Sequence, residues 1–183
     1  MSARNKTSLK NKIYFITFTI FKWQKIFTHE KYYKLVFKWF DYQKLNYNNK
    51  IHAYVIMPNH LHLILFLSES SPELSKLIQN AKRFLAYEIV TNLKEDKRDD
   101  LLKLFSYNAD KSKNAKHKIF ETNYDAKLIE NEELFKQKLN YIHNNPCVNK
   151  WNLSSSPEEY IYSSASNYIL GKGIYDVDVV DVY

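Results

Sequence analysis

A chain of 183 residues with 45% hydrophobic residues is long and apolar enough to bury a core, so an intrinsically disordered protein is excluded and one domain spanning residues 1–183 is predicted. Its single cysteine, Cys147, excludes an intramolecular disulfide and a cysteine-based zinc cluster. The net charge is +7, no apolar run is long enough to cross a bilayer, and no signal-peptide pattern follows the basic start, so we expect a cytoplasmic protein without a membrane partner.

The first part of the chain predicts a strand, a helix and a hairpin. Residues 13–21 are β-branched or aromatic throughout, which is typical of a buried strand. Residues 29–46 place apolar side chains at helical spacing among lysines, which predicts a helix with a broad apolar face. Two further apolar strands, 51–57 and 60–67, are separated only by Pro58-Asn59, a pair whose backbone preferences suit a tight turn.

Two more helices are predicted in the second half of the chain. Ser71 is placed to cap a helix whose first position is Pro72. Residues 130–144 predict another helix, which Pro146 ends, and its apolar stripe consists of Phe135, Leu139 and Ile142.

Weaker patterns complete the prediction of an α+β fold. Residues 94–118 are charged and irregular, so a loop or weak element is expected there. Short strands are expected at 118–121 and, along a sheet edge, at 174–183. The order of elements predicts an antiparallel sheet built around a split β-α-β unit, with helices packed on one face.

His60-Leu61-His62 is the first group of residues that suggests chemistry. On a strand, residues two apart point to the same face, so both imidazoles project together while Leu61 faces the opposite way. Two adjacent imidazoles suit a divalent metal that keeps open positions for substrate oxygens. The alternative interpretation is a pair of histidines that are packed or hydrogen-bonded at a sheet surface.

Residues 141–146 (YIHNNP), at the end of the last predicted helix, form the second group. Tyr141 lies beside the apolar stripe, where its hydroxyl can reach a metal-bound phosphate as a nucleophile. Asn145 follows four residues later and can offer its amide oxygen as a third ligand, although Pro146 favours a non-helical conformation for it. The alternative is a half-buried helix tyrosine followed by an ordinary helix stop.

The positive charge is concentrated towards the N-terminus. Residues 1–50 carry 11 basic and 2 acidic residues, whereas residues 121–183 carry 5 basic and 10 acidic residues. A basic, aromatic-rich half suits single-stranded nucleic acid, although a lysine-rich composition alone explains it equally well. Lys82 and Arg83, on the helix after the hairpin, are candidates for phosphate contacts, with a solvated helix face as the alternative.

Three segments together resemble a known family. Residues 54–64 (YVIMPNHLHLI) resemble the signature of the single-tyrosine transposases with a His-hydrophobic-His motif, and in particular the REP-associated tyrosine transposases. Residues 141–146 resemble the tyrosine motif of that family, and residues 157–165 (PEEYIYSSA) resemble its downstream block. Their order and spacing match, and the resemblance runs from about residue 10 to about residue 170.

The resemblance implies a ferredoxin-like core and a specific chemistry. His60 and His62 would bind Mg²⁺ or Mn²⁺, and Tyr141 would attack the scissile phosphate of single-stranded or hairpin DNA. The reaction would leave a 5′-phosphotyrosine and a free 3′-OH, which can rejoin another strand without ATP. A homodimer is one possible assembly.

Two competing functions remain at this point. A histidine-triad nucleotide hydrolase needs a third histidine at position 64, where this chain has Ile64, so it is disfavoured. A catalytically inactive regulatory protein that binds DNA hairpins with the same fold is the stronger alternative. Binding of Mn²⁺ distinguishes it from an active enzyme.

Overall fold

A four-stranded antiparallel sheet organises the computed structural model, which describes residues 8–148 and 150–181. The strands are β1 Lys12–Thr19, β2 Lys50–Met57, β3 His60–Leu67 and β4 Asp125–Ile129, and the helices are α1 Glu30–Tyr47, α2 Leu74–Glu95, α3 Asp99–Tyr107, α4 Glu132–Asn144 and α5 Ala165–Ile169. The strand order is β2-β3-β1-β4, with every neighbouring pair antiparallel. This order confirms the predicted α+β, ferredoxin-like arrangement, in which β3 lies between β1 and β2.

Helices cover both faces of the sheet, so the prediction that they share one face was wrong. Alternate side chains of β1 and β3, among them Phe18 and Leu63, pack in a large aromatic core under α1 and α2. The opposite side chains, including Phe15 and Ile64, pack against Leu139 and the rest of the α4 stripe. The reason is that α4 presents its own apolar stripe, which needs a separate apolar surface to bury it.

The start of α2 differs from its prediction, because Ser71 does not cap the helix. α2 begins at Leu74, after an N-cap residue, Glu73, whose side chain makes no capping hydrogen bond. Ser71 is buried, and its hydroxyl accepts a hydrogen bond of 3.1 Å from Asn49 Nδ2. The side chain therefore serves the contact between two loops rather than the helix end.

The charged stretch from 94 to 118 contains a true helix, α3. Leu101 and Phe105, four residues apart, are both buried, and Asp99 and Asp100 lie in the first turn, where the helix dipole favours negative charge. The many charges of the stretch obscured this short apolar stripe.

The outer strands were harder to predict than the central ones. In the predicted strand at 118–121, only Phe120 forms a bridge, to Ile20, and the actual edge strand is β4. β4 (DAKLI) is short, and only its last residue, Ile129, is fully buried. A five-residue edge strand that is largely open to solvent gives too short a pattern to identify in the sequence.

The chain end approaches β2 without forming the predicted strand. Within the described part of 174–183, residues 174–181 have no regular structure. Asp178 N donates to Ile51 O at 2.8 Å, but Asp178 Oδ2 rather than a carbonyl accepts from Ile51 N at 3.2 Å. A carboxylate oxygen thus takes the place of a backbone carbonyl as the acceptor, and the two segments do not form a continuous β-ladder.

The segment before α5 extends the sheet beyond β2. Ile56 N donates to Tyr162 O, and Ser164 N donates to Tyr54 O, each at 2.9 Å. These bonds surround an antiparallel bridge between Val55 and Ser163. The downstream block of the sequence thereby covers an otherwise open sheet edge. Within the described residues, no helix combines the length and apolar character needed to cross a bilayer.

We predict that Leu139 is required to hold α4 on the sheet. Leu139 is 1% exposed, so Leu139→Ala should lower the free energy of unfolding by about 2–5 kcal/mol, through lost apolar burial and a residual cavity. Leu45→Ala is the matched control, because Leu45 is 82% exposed and its truncation should change stability by less than about 0.5 kcal/mol. Urea denaturation of both variants measures this difference, and equal losses would contradict the packing described.

Candidate active site

The two histidines of β3 lie side by side, as predicted, on the face that α4 covers. His62 is opposite Thr17 of β1, and His60 is opposite Thr19, in the same antiparallel register. The imidazole centroids are 4.7 Å apart, and each residue is 5% exposed. β3 therefore delivers two nearly buried imidazoles to one place.

Hydrogen bonds orient both imidazoles from behind. Asn59 Nδ2 donates to Trp23 O at 3.2 Å, so Asn59 Oδ1 faces His60 Nδ1 at 2.7 Å and accepts a hydrogen bond from it. His60 Nε2 then keeps a free lone pair. His62 Nδ1 lies 2.9 Å from Thr17 Oγ1, which leaves His62 Nε2 directed into the site. In metal-binding histidines, the ring nitrogen that does not bind the metal usually makes a hydrogen bond, as Nδ1 does in both residues here.

Both imidazoles are neutral at physiological pH. Burial lowers the pKa of His60 to about 4, and the positive charge of Lys150 adds to the shift. Burial also lowers the pKa of His62 to about 3, with further contributions from His60 and Lys138. Neutral imidazoles keep their lone pairs available to a metal ion without competition from protons.

Tyr141 reaches the histidine pair from the last turn of α4. Its hydroxyl oxygen lies 3.4 Å from His62 Nε2, and the side chain is 48% exposed, beside the buried stripe of the helix. The edge of the Phe15 ring supports the tyrosine ring at a centroid distance of 5.9 Å. Lys138 Nζ lies 5.7 Å from the centroid of the same ring. The structure thus brings together the two motifs that are 79 residues apart in sequence.

α4 ends at Asn144 as predicted, but Asn145 joins the same site because the chain keeps a helical conformation for one more turn. The backbone of Asn145 is helical (φ −53°, ψ −43°), and the chain continues into a 3-10 turn over Asn145–Cys147. The conformation that is usual before proline was therefore the wrong expectation. Asn145 is 7% exposed, and within residues 8–148 and 150–181 its Oδ1 has no hydrogen-bond donor.

These side chains surround a cleft of about 340 Å³. It opens between β1, β3 and the C-terminal end of α4, and an apolar rim borders it on the side of Val148. The residues that line it are Thr17, Thr19, Trp23, His60, His62, Tyr141, Asn144, Asn145, Val148, Lys150 and Trp151. The cleft has room for a phosphodiester and an adjoining nucleotide group, and its polar groups converge on the histidine pair.

The donor set fits a divalent metal ion. Among the residues that the structure describes, no three His, Cys, Asp or Glu side chains are grouped closely enough to hold a metal. The candidate donors are instead two imidazole nitrogens and the amide oxygen of Asn145, a buried polar atom that has no hydrogen-bond partner among the described residues. Nitrogen ligands suit Mn²⁺ better than Mg²⁺, which prefers oxygen.

Several site residues were missed in the sequence. Thr17 and Thr19 carried a signal, because they are the polar residues at alternate positions of an otherwise apolar strand. Lys138 precedes Tyr141 by three residues, which places both on one side of a helix. Trp23 carried no local signal, because it depends on an unusual backbone conformation.

Lys82 and Arg83 lie outside the cleft, and their predicted phosphate contacts stay a prediction. Lys82 Nζ donates to the carbonyls of Glu121 at 2.7 Å and Asn123 at 3.2 Å, and burial lowers its pKa to about 8. Arg83 borders a larger groove of about 660 Å³ between α1 and α2. That groove has no histidine or carboxylate among its lining residues, so the smaller cleft is the better candidate for chemistry.

We predict that the metal-free protein loses stability as the pH falls from about 6.5 to 4. Unfolded histidine titrates near 6.5, whereas burial keeps His60 and His62 neutral down to pKa values of about 4 and 3. Between these values the unfolded chain binds more protons than the folded protein. Each histidine should therefore lower the free energy of unfolding by up to about 1.4 kcal/mol for each pH unit of acidification. Denaturation at several pH values, with chelator present, measures this slope.

The double variant His60→Gln plus His62→Gln provides the control for this slope. Glutamine does not titrate, so the slope of the unfolding free energy against pH should fall by the contribution of about two protons. The carboxylates and the other histidines still contribute to the remaining slope. An unchanged slope in the double variant would contradict the buried, neutral state of the pair.

Comparison with known proteins supports the fold. No family model and no curated protein matches the sequence. The chain is similar to a solved REP-associated tyrosine transposase bound to a REP hairpin, with a TM-score of 0.67 and 19% sequence identity over 100% of this chain and 94% of that one. The resemblance seen in three sequence segments is therefore confirmed at the level of the fold.

Two more distant similarities accompany it. A proposed transposase from Deinococcus radiodurans R1 has a TM-score of 0.49 and 15% identity over 77% of this chain and 95% of that one. A bacterial tRNA(His) guanylyltransferase-like protein in complex with ATP has a TM-score of 0.47 and 7% identity over 92% of this chain and 74% of that one. Both are too distant to bear on function.

Proposed function

We propose that this protein is a metal-dependent enzyme of the REP-associated tyrosine transposase family, which nicks single-stranded DNA and transfers the strand through a 5′-phosphotyrosine. The observation that carries the proposal is the 3.4 Å approach of the Tyr141 hydroxyl to His62 Nε2 inside a cleft that also holds His60 and Asn145. The similar solved transposase was bound to a REP hairpin, which supports hairpin DNA as the substrate here.

Tyr141 is the nucleophile in this mechanism. Its hydroxyl gives up its proton to solvent, its oxygen attacks the phosphorus, a new O–P bond forms, and the bond to the 3′ oxygen breaks. The departing 3′ oxygen takes up a proton and leaves as a hydroxyl, while the 5′ phosphate stays attached to Tyr141. Attack by the 3′-OH of another strand reverses the step, so the energy of the phosphodiester is conserved.

His60 Nε2, His62 Nε2 and Asn145 Oδ1 would hold Mg²⁺ or Mn²⁺. When bound, the ion supplies Lewis-acid polarisation of the phosphate. The chain itself supplies orientation, because the hydrogen bonds from Asn59 and Thr17 fix the two imidazoles. α4 fixes the nucleophile from the other side, since its buried stripe is anchored on the sheet.

Tyr141 approaches the His62 of its own chain, so the proposal places both catalytic groups in cis. A homodimer, one possible assembly expected from the sequence, stays a prediction.

An inactive regulatory protein that binds DNA hairpins is the second candidate. The cleft favours the enzyme, because the buried amide oxygen of Asn145 has no donor among the described residues, and leaving it unpaired costs stability unless a ligand uses it.

We predict that Tyr141→Phe abolishes the covalent adduct with hairpin DNA that carries a single-stranded flank. Loss of one oxygen removes the nucleophile and should leave the fold and DNA binding nearly intact. Wild type should show a denaturation-resistant protein–DNA band in Mn²⁺, and Tyr141→Phe should show none. Tyr87→Phe is the control, because Tyr87 is exposed in the groove between α1 and α2, and it should behave as wild type. Adduct formation by Tyr141→Phe would refute the mechanism.

We also predict that metal affinity depends on Asn145 but not on its neighbour. Asn145→Ala should weaken Mn²⁺ binding on the order of tenfold, and His60→Ala plus His62→Ala should abolish it. Asn144→Ala is the matched control, because the exposed Asn144 side chain donates to Asn140 O at 2.9 Å within its own helix. Calorimetry on DNA-free protein measures these affinities. Equal affinities of the two asparagine variants would remove Asn145 from the ligand set.

A further inference from the structure

Trp23 stands exposed at the rim of the cleft without a role in the core. It is 56% exposed, and its ring centroid lies 6.0 Å from that of His60. By contrast, Trp39 is 3% exposed within the aromatic core. A large indole that is open to solvent beside a catalytic cleft indicates a contact with a ligand rather than packing.

The backbone is held in an unusual conformation to present this side chain. Lys22 and Trp23 both have left-handed φ values, 52° and 56°, which are unfavourable for bulky residues. Hydrogen bonds maintain them: Lys22 N donates to Glu121 Oε1 and Trp23 N donates to Ile20 O, each at 2.9 Å. Such strain is concentrated at functional sites in proteins.

The same hydrogen-bond chain connects Trp23 to the histidine pair. Trp23 O accepts from Asn59 Nδ2 at 3.2 Å, and Asn59 Oδ1 accepts from His60 Nδ1 at 2.7 Å. One amide side chain therefore ties the backbone of Trp23 to the His60 imidazole. A group bound against the Trp23 ring would lie beside His60.

A second indole and a positive charge complete this part of the cleft. The Trp151 ring centroid lies 5.5 Å from that of His60, and Trp151 is partly buried. Lys150 Nζ lies 5.8 Å from the Trp23 ring and 5.5 Å from the Trp151 ring. Aromatic faces beside a lysine are the combination with which proteins bind unpaired nucleotides.

We propose that Trp23 stacks on the unpaired base next to the scissile phosphate, with Trp151 as the floor of this base site and Lys150 on the neighbouring phosphate. The inference rests on the proposed function and names the feature of the substrate that the cleft recognises. A paired base already stacks in its duplex and cannot present its face to Trp23. The base site therefore selects single-stranded DNA at the point of cleavage.

The test compares a base-bearing oligonucleotide with one that lacks bases. The probes are a fluorescein-labelled oligothymidylate of about 12 nucleotides and an abasic oligomer with the same backbone, measured by anisotropy without divalent metal. Trp23→Ala should weaken binding of the oligothymidylate on the order of tenfold, as expected for one lost stacking contact, and should leave the abasic oligomer unaffected. Trp23→Phe should restore most of the affinity.

Two controls separate stacking from other effects. Lys150→Ala should weaken binding of both oligomers and reduce the salt dependence, because it removes a phosphate contact. Tyr87→Ala, which removes an exposed aromatic ring outside the cleft, should change neither.

Equal losses for both oligomers in Trp23→Ala, or no loss for either, would overturn the base site. The measurement needs no cleavage, so it is independent of the covalent adduct that tests the proposed function. If wild type forms the adduct but Trp23→Ala fails to discriminate between the two oligomers, Tyr141 stays the proposed nucleophile and only the base site is rejected.

Discussion

Side-chain alternation on β3 is the constraint on which the site depends. β3 is hydrogen-bonded to β1 and β2 along its length, so His60 and His62 share one face while Leu61 and Leu63 fill the core under α1 and α2. A slip of one residue in this register would exchange the two sets and bury both imidazoles among aromatic side chains. The hydrophobic pattern that stabilises the sheet therefore also holds the histidines together, facing the end of α4.

The position of α4 brings a tyrosine hydroxyl, the proposed nucleophile, to this histidine pair. The helix is anchored through its buried stripe, and His143 Nε2 is hydrogen-bonded at 3.0 Å to Ser164 Oγ in the segment that extends the sheet beyond β2. Burial lowers the pKa of His143 to about 4, so this contact is between neutral groups at pH 7. Tyr141 and Asn145, on either side of His143, are thereby fixed against β3. The downstream block therefore supports the tyrosine motif through the contact between His143 and Ser164.

The sequence predicted the parts of this arrangement that local rules control. Strand alternation placed His60 beside His62, and helical spacing placed Tyr141 outside the apolar stripe. Asn145 was harder, because the local preference before proline was overridden by a 3-10 turn packed in the tertiary structure. Trp23 could not be foreseen, since hydrogen bonds from residues far along the chain stabilise its left-handed backbone. The short edge strand β4 was missed for a related reason: its pairing with β1, rather than its own composition, makes it a strand.

Peptide mapping of the wild-type adduct identifies the residue that becomes attached to DNA. Cleavage after Lys138 and Lys150 releases peptide 139–150, in which Tyr141 is the only tyrosine. Mass spectrometry should find the DNA-derived 5′ phosphate on this peptide, at Tyr141, in a reaction that requires divalent metal. A phosphate on any of the other tyrosines of the chain, or attachment through a 3′ phosphate, would contradict it.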